Sequence, residues 1–196
     1  MRFSALLVPV FIGFFVTSVS AQEVKLDTIT KYSNGHIQST GTYMNGVKFG
    51  KWIHYFPNGN LMSEEHYQSG KLSGKTLYYH PNGSLSGVEI WEGDLLQDSA
   101  KYYHENGVLK KEGLFNNNLY SGTWRFYYSN KKLKRTINYR EGLPDGKAFF
   151  YHENGRIHQS GHYKDGKENG KWLFYNKRGK LIYETIYKEG KEVETP

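Results

Sequence analysis

Cysteine is absent from the 196 residues of the chain. Disulfide bonds therefore cannot hold the fold, and a cysteine nucleophile is excluded from any catalytic role. Glycine, by contrast, occurs 22 times, and aromatic residues make up 16% of the sequence. The stability of this chain must come from packing between repeated segments that are rich in aromatic side chains.

Catalytic motifs are missing as well. The sequence has no Gly-x-Ser-x-Gly elbow, no glycine-rich phosphate loop followed by Lys-Ser or Lys-Thr, and no His-Glu-x-x-His. Carboxylates recur at repeat positions, as at Glu65, Glu89, Glu105 and Glu153, whereas an acid–base pair is unique to one place in a chain. We therefore expect a protein that is not an enzyme and that needs no cofactor.

Three histidines, His80, His104 and His152, share one position of a repeat. Equivalent atoms of adjacent copies would lie two strands apart, about 9.6 Å. Zinc is held about 2.0–2.1 Å from each ligating nitrogen, so two such histidines cannot share one ion. We predict no metal site and give these histidines a structural or solvent-facing role.

One long apolar run, residues 5–16, follows the basic residue Arg2 near the start of the chain. Small residues come next at 19–21, and this order is typical of a secretory signal that is cleaved after Ala21. A membrane anchor is the alternative, but it needs about 20 apolar residues. We predict a signal peptide over residues 1–21 and export, either to the periplasm or out of the cell.

The rest of the chain, residues 22–196, is a single array with a period of 24 and no insertion. Internal repeats of this length indicate a solenoid or an extended array. The first copy has Thr28 and Lys31 where later copies have aromatic residues, as expected for a polar terminal cap. The copies cover residues 27–50, 51–74, 75–98, 99–122, 123–146, 147–170 and 171–194.

Each copy contains two short runs of mixed apolar and polar residues, separated by turns around glycine. This pattern predicts one β-hairpin per copy and an all-β fold. At one turn, Pro57 and Asn58 precede Gly59, the order expected for a three-residue loop closed by a glycine in the left-handed region. Such a loop places Tyr55 opposite Leu61 on one face of the sheet.

Three columns of the repeat are assigned to this Tyr55 face, which we expect to be continuously apolar and to include Ile53, Leu77, Phe149 and Leu173. The first column is tyrosine, the second is leucine or isoleucine, and the third is aromatic. The columns are Tyr55, Tyr79, Tyr103, Tyr127, Tyr151 and Tyr175; Ile37, Leu61, Leu85, Leu109, Leu133, Ile157 and Leu181; and Tyr43, Tyr67, Trp91, Phe115, Tyr139, Tyr163 and Tyr187.

The segment from Gly161 to Trp172, GHYKDGKENGKW, resembles a MORN repeat of the bacterial variant form. It keeps the Gly-x-aromatic, Gly and Gly spacing of that family and departs from it at Trp172, where the usual motif continues Gly-x-Gly. Seven copies in phase extend the resemblance over residues 27–194. The resemblance implies hairpins side by side in one elongated, twisted, single-layer antiparallel sheet that serves as an interaction platform. Bacterial relatives are often described as antitoxin-like.

A first candidate site lies in turns of the middle copies. Outer copies have lysine there, at Lys71 and Lys167, whereas three consecutive middle copies have apolar residues. Apolar side chains in adjacent turns indicate a docking surface for another protein, unless they fold back and shield the sheet edge. The residues are Leu95, Leu96, Leu119, Tyr120 and Leu143.

A second candidate surface lies on the opposite face of the sheet, where Glu64, Glu112 and His162 are the expected polar neighbours. Flat aromatic rings in such a row can stack on sugar rings or hold a peptide. The alternative is that each tryptophan packs over a small residue of the next copy. The residues are Trp52, Tyr78, Tyr102, Trp124, Phe126, Phe150, Trp172 and Phe174.

The net charge of +7 is moderate for this length. Lysines near both ends of the array can attract anionic lipid head groups, acidic glycans or an acidic protein, or they simply keep the sheet soluble. Nucleic acid is not expected outside the cytoplasm. The sequence therefore predicts an exported, non-enzymatic interaction scaffold whose partner is another protein, with a glycan or an anionic phospholipid as alternatives. Its oligomeric state is left open.

Overall fold

The computed structural model describes residues 23–193. Every regular element in this part of the chain is a β-strand, which confirms the all-β prediction. The predicted signal peptide, residues 1–21, lies outside the described residues. Between residues 23 and 193, no helix is long and apolar enough to cross a membrane.

Seventeen strands form one open antiparallel sheet in the described part of the chain. Apart from two strands that are each interrupted into two pieces, every strand pairs with its neighbours in sequence, so the sheet is a continuous meander. Ser73 and Asn169 each interrupt one strand. The strands are β1 (Lys25–Lys31), β2 (Ile37–Met44), β3 (Val47–Tyr55), β4 (Leu61–Gln68), β5 (Lys71–Leu72), β6 (Gly74–Tyr79), β7 (Leu85–Glu92), β8 (Leu95–Tyr103), β9 (Leu109–Asn116), β10 (Leu119–Tyr127), β11 (Leu133–Arg140), β12 (Leu143–Tyr151), β13 (Ile157–Lys164), β14 (Lys167–Glu168), β15 (Gly170–Tyr175), β16 (Leu181–Lys188) and β17 (Lys191–Val193).

Two kinds of turn form the two long rims of the sheet. At the loop rim, the Gly59 amide donates to the carbonyl of Phe56 and the Phe56 amide to the carbonyl of Asn60, both at 2.8 Å. Gly59 has φ +88°, so the predicted three-residue loop with a left-handed glycine is confirmed. At the turn rim, pairs such as Asn45 and Gly46 both have positive φ, 50° and 80°, which defines a two-residue type I′ turn.

A β-bulge next to the loop rim reverses the alternation of side chains in every hairpin. His54 pairs with Ser63 and Tyr55 pairs with Leu61, which leaves Met62 as the extra residue. Successive strand residues point to opposite faces, so one extra residue places Ser63 on the face opposite Leu61 and shifts the alternation of the residues after it by one position. The same irregularity recurs at Gln38, Ser86, Lys110, Lys134, His158 and Ile182.

The bulge corrects one of the three column assignments. Tyr55, Leu61 and Ile53 do share one face, called here the tyrosine face. The aromatic column that runs from Tyr43 to Tyr187 lies on the other face, called here the tryptophan face, and the ring of Tyr43 is 5.0 Å from that of Trp52. The prediction that this column belongs to the tyrosine face is therefore wrong.

The tyrosine face is also less apolar than predicted. Along its middle, Ile53 pairs with Glu64, and Glu112 pairs with both Lys101 and Arg125. These charged residues interrupt the apolar surface. His162 also lies on this face, because it pairs with Lys147. The sequence prediction that Glu64, Glu112 and His162 are neighbours of the tryptophans is therefore wrong.

The buried core is one row of side chains that crosses the middle of the tryptophan face, called here the midline row. Trp124 and Ala148 in this row are 0% exposed. A single sheet can bury them because flanking aromatic rings lean over the row: the Tyr120 ring stacks on Trp124 at 3.9 Å, and Phe115 meets it edge-on at 5.1 Å. The row contains Gly41, Trp52, Glu65, Thr76, Glu89, Ala100, Gly113, Trp124, Ile137, Ala148, Gly161, Trp172 and Thr185.

Candidate functional site

Each tryptophan of the midline row lies against a glycine of the preceding strand. A Cβ atom built at Gly113 would come within 2.3 Å of the Trp124 ring, so the ring occupies the space that a side chain would need. The Trp124 indole N–H also donates to the carbonyl of Leu114 at 2.9 Å. The same contact of ring with glycine recurs at Gly41 with Trp52 and at Gly161 with Trp172.

These contacts correct the prediction that the tryptophans belong to a ligand surface. Trp52, Trp124 and Trp172 are at most 2% exposed and offer no ring face to a sugar. The packing alternative describes them better, although each ring covers a residue of the preceding copy and not of the next one. The tryptophans therefore hold adjacent copies together.

The other five members of the predicted surface do lie in one row on the tryptophan face, and all are partly buried. Long cationic side chains cover some of their rings. The Lys111 ammonium is 4.2 Å from the centre of the Tyr102 ring, and the Arg135 guanidinium is 4.2 Å from that of Phe126. The row contains Tyr78, Tyr102, Phe126, Phe150 and Phe174.

Two carboxylates interrupt the midline row, at positions where later copies have glycine, isoleucine or threonine. Glu65 accepts hydrogen bonds from Ser63 at 2.8 Å and Tyr67 at 2.7 Å, and His54 lies 3.2 Å away. Burial alone would raise the pKa of Glu65, but the hydrogen bonds from His54, Tyr67 and Ser63 outweigh it and lower that pKa to about 2. Glu65 is thus held ionised by its neighbours.

Glu89 is more deeply placed, at 8% exposure. The Tyr102 hydroxyl donates to it at 2.5 Å, and burial together with this carboxylate raises the pKa of Tyr102. Among residues 23–193, no lysine, arginine or histidine forms an ion pair with Glu89. Within the described residues, this buried carboxylate thus accepts a hydrogen bond from a neutral hydroxyl group and has no cationic partner.

Thr76 lies between the two carboxylates and is 0% exposed. Its hydroxyl is buried without a hydrogen-bond partner in the described part of the chain. We refer to Glu65, Thr76 and Glu89 as the acidic segment. Sequence reasoning missed it, because carboxylates in register look like a product of repetition; the contrast with glycine and isoleucine in the same column was the available signal.

At the turn rim, Leu95, Leu119 and Leu143 form one row, called here the leucine rim. They are 40%, 47% and 52% exposed. Leu119 packs on Gly142 in the next turn: a Cβ atom built on that glycine would be 3.1 Å from Cδ2 of Leu119. Leu143 packs on Gly166 in the same way. The leucines therefore partly shield the edge, as in the alternative interpretation, and still expose much of their apolar surface.

Leu96 and Tyr120 do not belong to this exposed row. Both point to the tryptophan face and pack against the core residues Ala100, Phe115 and Trp124. The predicted five-residue patch is thus divided between the two faces of the sheet, because adjacent residues of a strand point in opposite directions.

Beyond Leu143, the rim continues in four exposed lysines, called here the lysine row: Lys164, Lys167, Lys188 and Lys191. Lys164 pairs directly with Lys167, and Lys188 with Lys191. Like charges in direct cross-strand pairs are destabilising. None of the four forms an ion pair with another residue described in the structure.

The loop rim holds adjacent copies together. His80 and His152 bind the carbonyls of Tyr103 and Tyr175 at 3.1 and 3.0 Å, and Asn58 donates to the carbonyl of Pro81 at 3.2 Å. These contacts give the histidines a structural role. Within the described range, no group of three or more histidine, aspartate or glutamate side chains is placed to hold a metal ion.

Comparison with known proteins identifies the repeat. The sequence profile described as MORN repeat variant matches residues 50–69, 99–117, 120–141, 144–165 and 168–189, more than half of the chain. No curated protein matches the chain. The crystal structure of TcdB2-TccC3 is similar over 83% of this chain at 12% identity and a TM-score of 0.18, and that of TcdB2-TccC3-Cdc42 over 85% at the same identity and TM-score. The chain spans 13% of the length of each of those chains.

Proposed function

The chain belongs to the MORN repeat variant family, and from this premise we propose that it is a non-enzymatic scaffold that binds another protein along the leucine rim. MORN repeats commonly mediate interactions with proteins or with membrane lipids. The observation that carries the proposal is the row of Leu95, Leu119 and Leu143, exposed and evenly spaced at the turn rim.

The chemistry of the rim indicates what kind of partner it fits. Leucines of adjacent copies lie two strands apart, about 9.6 Å, so the three offer apolar contacts over roughly 20 Å. The unpaired lysine row follows in line with them. A partner segment with apolar residues followed by carboxylates would cover the leucines and neutralise the lysines. Such complementarity gives a protein interface both specificity and orientation.

Export and a toxin-neutralising role are the finer parts of this proposal. The N-terminal segment 1–21 supports export, and the resemblance to bacterial variant repeats supports an antitoxin-like role. In that role the partner is a toxin that the rim blocks stoichiometrically. Lack of a catalytic motif supports a scaffold that acts by binding alone.

The experiment compares capture by three forms of residues 22–196, using quantitative mass spectrometry of envelope and culture fractions. The rim variant carries Leu95→Ser, Leu119→Ser and Leu143→Ser. The matched control carries serine at three other exposed apolar positions, Ile29, Ile182 and Ile186. We expect at least one protein to be captured by the wild type and by the control but not by the rim variant. That protein should also bind the purified wild type directly. If no protein separates the rim variant from the control, the proposal is wrong.

Association with anionic phospholipid is the second candidate, and the unpaired lysine row favours it. Sedimentation with phosphatidylcholine vesicles, with and without phosphatidylserine, distinguishes the two. Three results together would favour the lipid. Binding would require phosphatidylserine, it would be lost when the four lysines are replaced by glutamine, and it would be unchanged in the rim variant. High salt should weaken such binding because the contacts are exposed and screened.

A further inference from the structure

The acidic segment has no role in the proposed binding along the leucine rim, and its chemistry is unusual for a repeat core. A buried carboxylate costs free energy unless a cation or several hydrogen bonds compensate it. Glu65 has such compensation from Ser63, Tyr67 and His54. Glu89, at 8% exposure, has the Tyr102 hydroxyl and no cation among residues 23–193.

An open cavity of 390 Å³ leads to Glu89. Tyr78 and Tyr102 are the cross-strand partners of Gly87, one on each side of it. A Cβ atom at Gly87 would lie 3.4 Å from both rings, so the glycine leaves a slot between two aromatic walls. Met62 and Ser86, the bulge residues of their hairpins, line the cavity as well.

The polar groups that line this slot favour a positively charged ligand. Lys111, whose ammonium contacts the Tyr102 ring, belongs to β9, on the side of Tyr102 away from Gly87 on β7. The carboxylate of Glu89 lies in the cavity wall, and Glu65 is the next carboxylate along the midline row. Between them, the fully buried Thr76 hydroxyl has no partner among the described residues, but it does not line the cavity. Aromatic rings beside a carboxylate are the usual surroundings of an organic cation, which gains both ion-pair and cation–π energy.

We propose that the slot between Tyr78 and Tyr102, closed by Glu89, is a binding site for an organic ammonium group. The ammonium occupies the space above Gly87, contacts the two rings and pairs with Glu89. A primary ammonium has three N–H donors, which suit the Glu89 carboxylate in the cavity wall. A metal ion fits less well, because the described residues contain no group of three metal-ligating side chains.

Two sources can supply this group: a free amine, or the lysine side chain of another protein. Both present the same –CH2–NH3⁺ group, which is small compared with the volume of the cavity. The site lies on the tryptophan face, whereas the leucine rim lies on the tyrosine side of the turns. Binding at the slot therefore does not depend on the scaffold function proposed above.

Isothermal titration calorimetry tests the site with purified residues 22–196. The probes are n-butylammonium chloride, a lysine-containing tripeptide with blocked ends, and n-butanol as a neutral control. We expect saturable binding of n-butylammonium and none of n-butanol. Glu89→Gln keeps the shape of the side chain and should weaken binding at least about tenfold, since an ion pair is replaced by a neutral contact.

The matched control is Glu64→Gln, which also removes one carboxylate charge. Glu64 follows Ser63 in β4, but it lies on the tyrosine face, away from the slot, and pairs with Lys51. This variant should bind like the wild type. Gly87→Leu keeps both carboxylates and fills the slot, so it should abolish binding; its fold is checked by circular dichroism. Gly87 has no positive φ, which makes the substitution tolerable for the backbone.

The two probes distinguish the two possible sources of the ammonium group. Binding of both probes identifies the site as a receptor for a lysine side chain, and binding of the free amine alone identifies it as a small-amine site. Absence of saturable heat with both probes would overturn the proposal. So would equal affinity of the wild type and folded Glu89→Gln, or undiminished binding to folded Gly87→Leu.

Discussion

The midline row is built in two different ways along one sheet. Around Trp124, an indole ring fills the space that Gly113 leaves open, and the copies fit by shape. In the acidic segment, Glu65 and Glu89 occupy the same row, and hydroxyl and imidazole groups hold them. Shape complementarity stabilises a fold directly, whereas buried carboxylates seldom do. Packing therefore accounts for the glycine and tryptophan residues of the row, whereas it does not account for the carboxylates of the acidic segment.

The largest effect is expected from a methyl group in the tryptophan part. Gly113→Ala places a Cβ 2.3 Å from the fully buried Trp124 ring, which has nowhere to move. We expect a loss of about 3 kcal/mol in the free energy of unfolding, at the upper end for overpacking. Urea denaturation followed by tryptophan fluorescence measures it.

Gly87→Ala is the matched control, because its Cβ would meet the nearest rings at an ordinary 3.4 Å. Its cost should stay below about 1 kcal/mol, the usual effect of a substitution that fits its site. Equal losses for the two variants would show that the close approach of the Trp124 ring to Gly113 carries no extra cost.

The second effect concerns pH and the acidic segment. The folded-state pKa of Glu65 is about 2, below its ordinary value of 4.5, so ionised Glu65 stabilises the folded state above pH 4.5. That contribution is lost as the pH falls from 4.5 toward 2, because the unfolded chain takes up the proton first. We expect the wild type to lose about 2 kcal/mol more than Glu65→Gln over this range.

Glu184→Gln serves as the control for this pH effect, since Glu184 is exposed and its one ion pair is with Lys171. Urea denaturation of all three proteins between pH 6 and pH 2.5 gives the comparison. A wild-type profile parallel to that of Glu65→Gln would mean that the hydrogen bonds of Glu65 do not favour its ionised form.

The smallest effect separates the two faces of the sheet. Tyr102→Phe removes the hydroxyl that donates to the buried Glu89 and should cost about 1.5 kcal/mol, the low end for a hydrogen bond to a charged group. Tyr127→Phe removes a similar bond, to Glu112 on the tyrosine face, where water can replace it. Its cost should be about 0.5 kcal/mol. Thermal unfolding monitored by circular dichroism ranks the two variants, and the reverse order would contradict the burial argument.

Much of the fold could be predicted from the sequence because its signals are local. Pro57, Asn58 and Gly59 specify their loop through backbone preferences alone, and the column of Tyr55 shows the period directly. The face of Tyr67 could not be predicted in the same way. It depends on the extra residue Met62, and a bulge has no strong sequence signal at this position.

The candidate sites divide along the same line. Leu95, Leu119 and Leu143 were found from composition alone, since apolar residues in turns stand out against the lysines of the outer copies. Leu96 and Tyr120 were grouped with them because a list of adjacent residues does not record which side of the strand each one occupies. Glu89 was passed over because its burial depends on Tyr78 of its own copy and Tyr102 of the next, which only the pairing of strands brings together.

The order of residues along the chain is enough to establish the period of 24, the hairpin in each copy, the glycine turns and the repeat family. These properties depend on residues close together in the chain and on their recurrence every 24 residues, and neither requires knowledge of which strands pair. The three-dimensional arrangement was needed to assign each column to a face, to show that the tryptophans are buried, and to bring Glu65, Thr76 and Glu89 into one segment. Those properties depend on contacts between strands, and a one-residue shift in register changes all of them together.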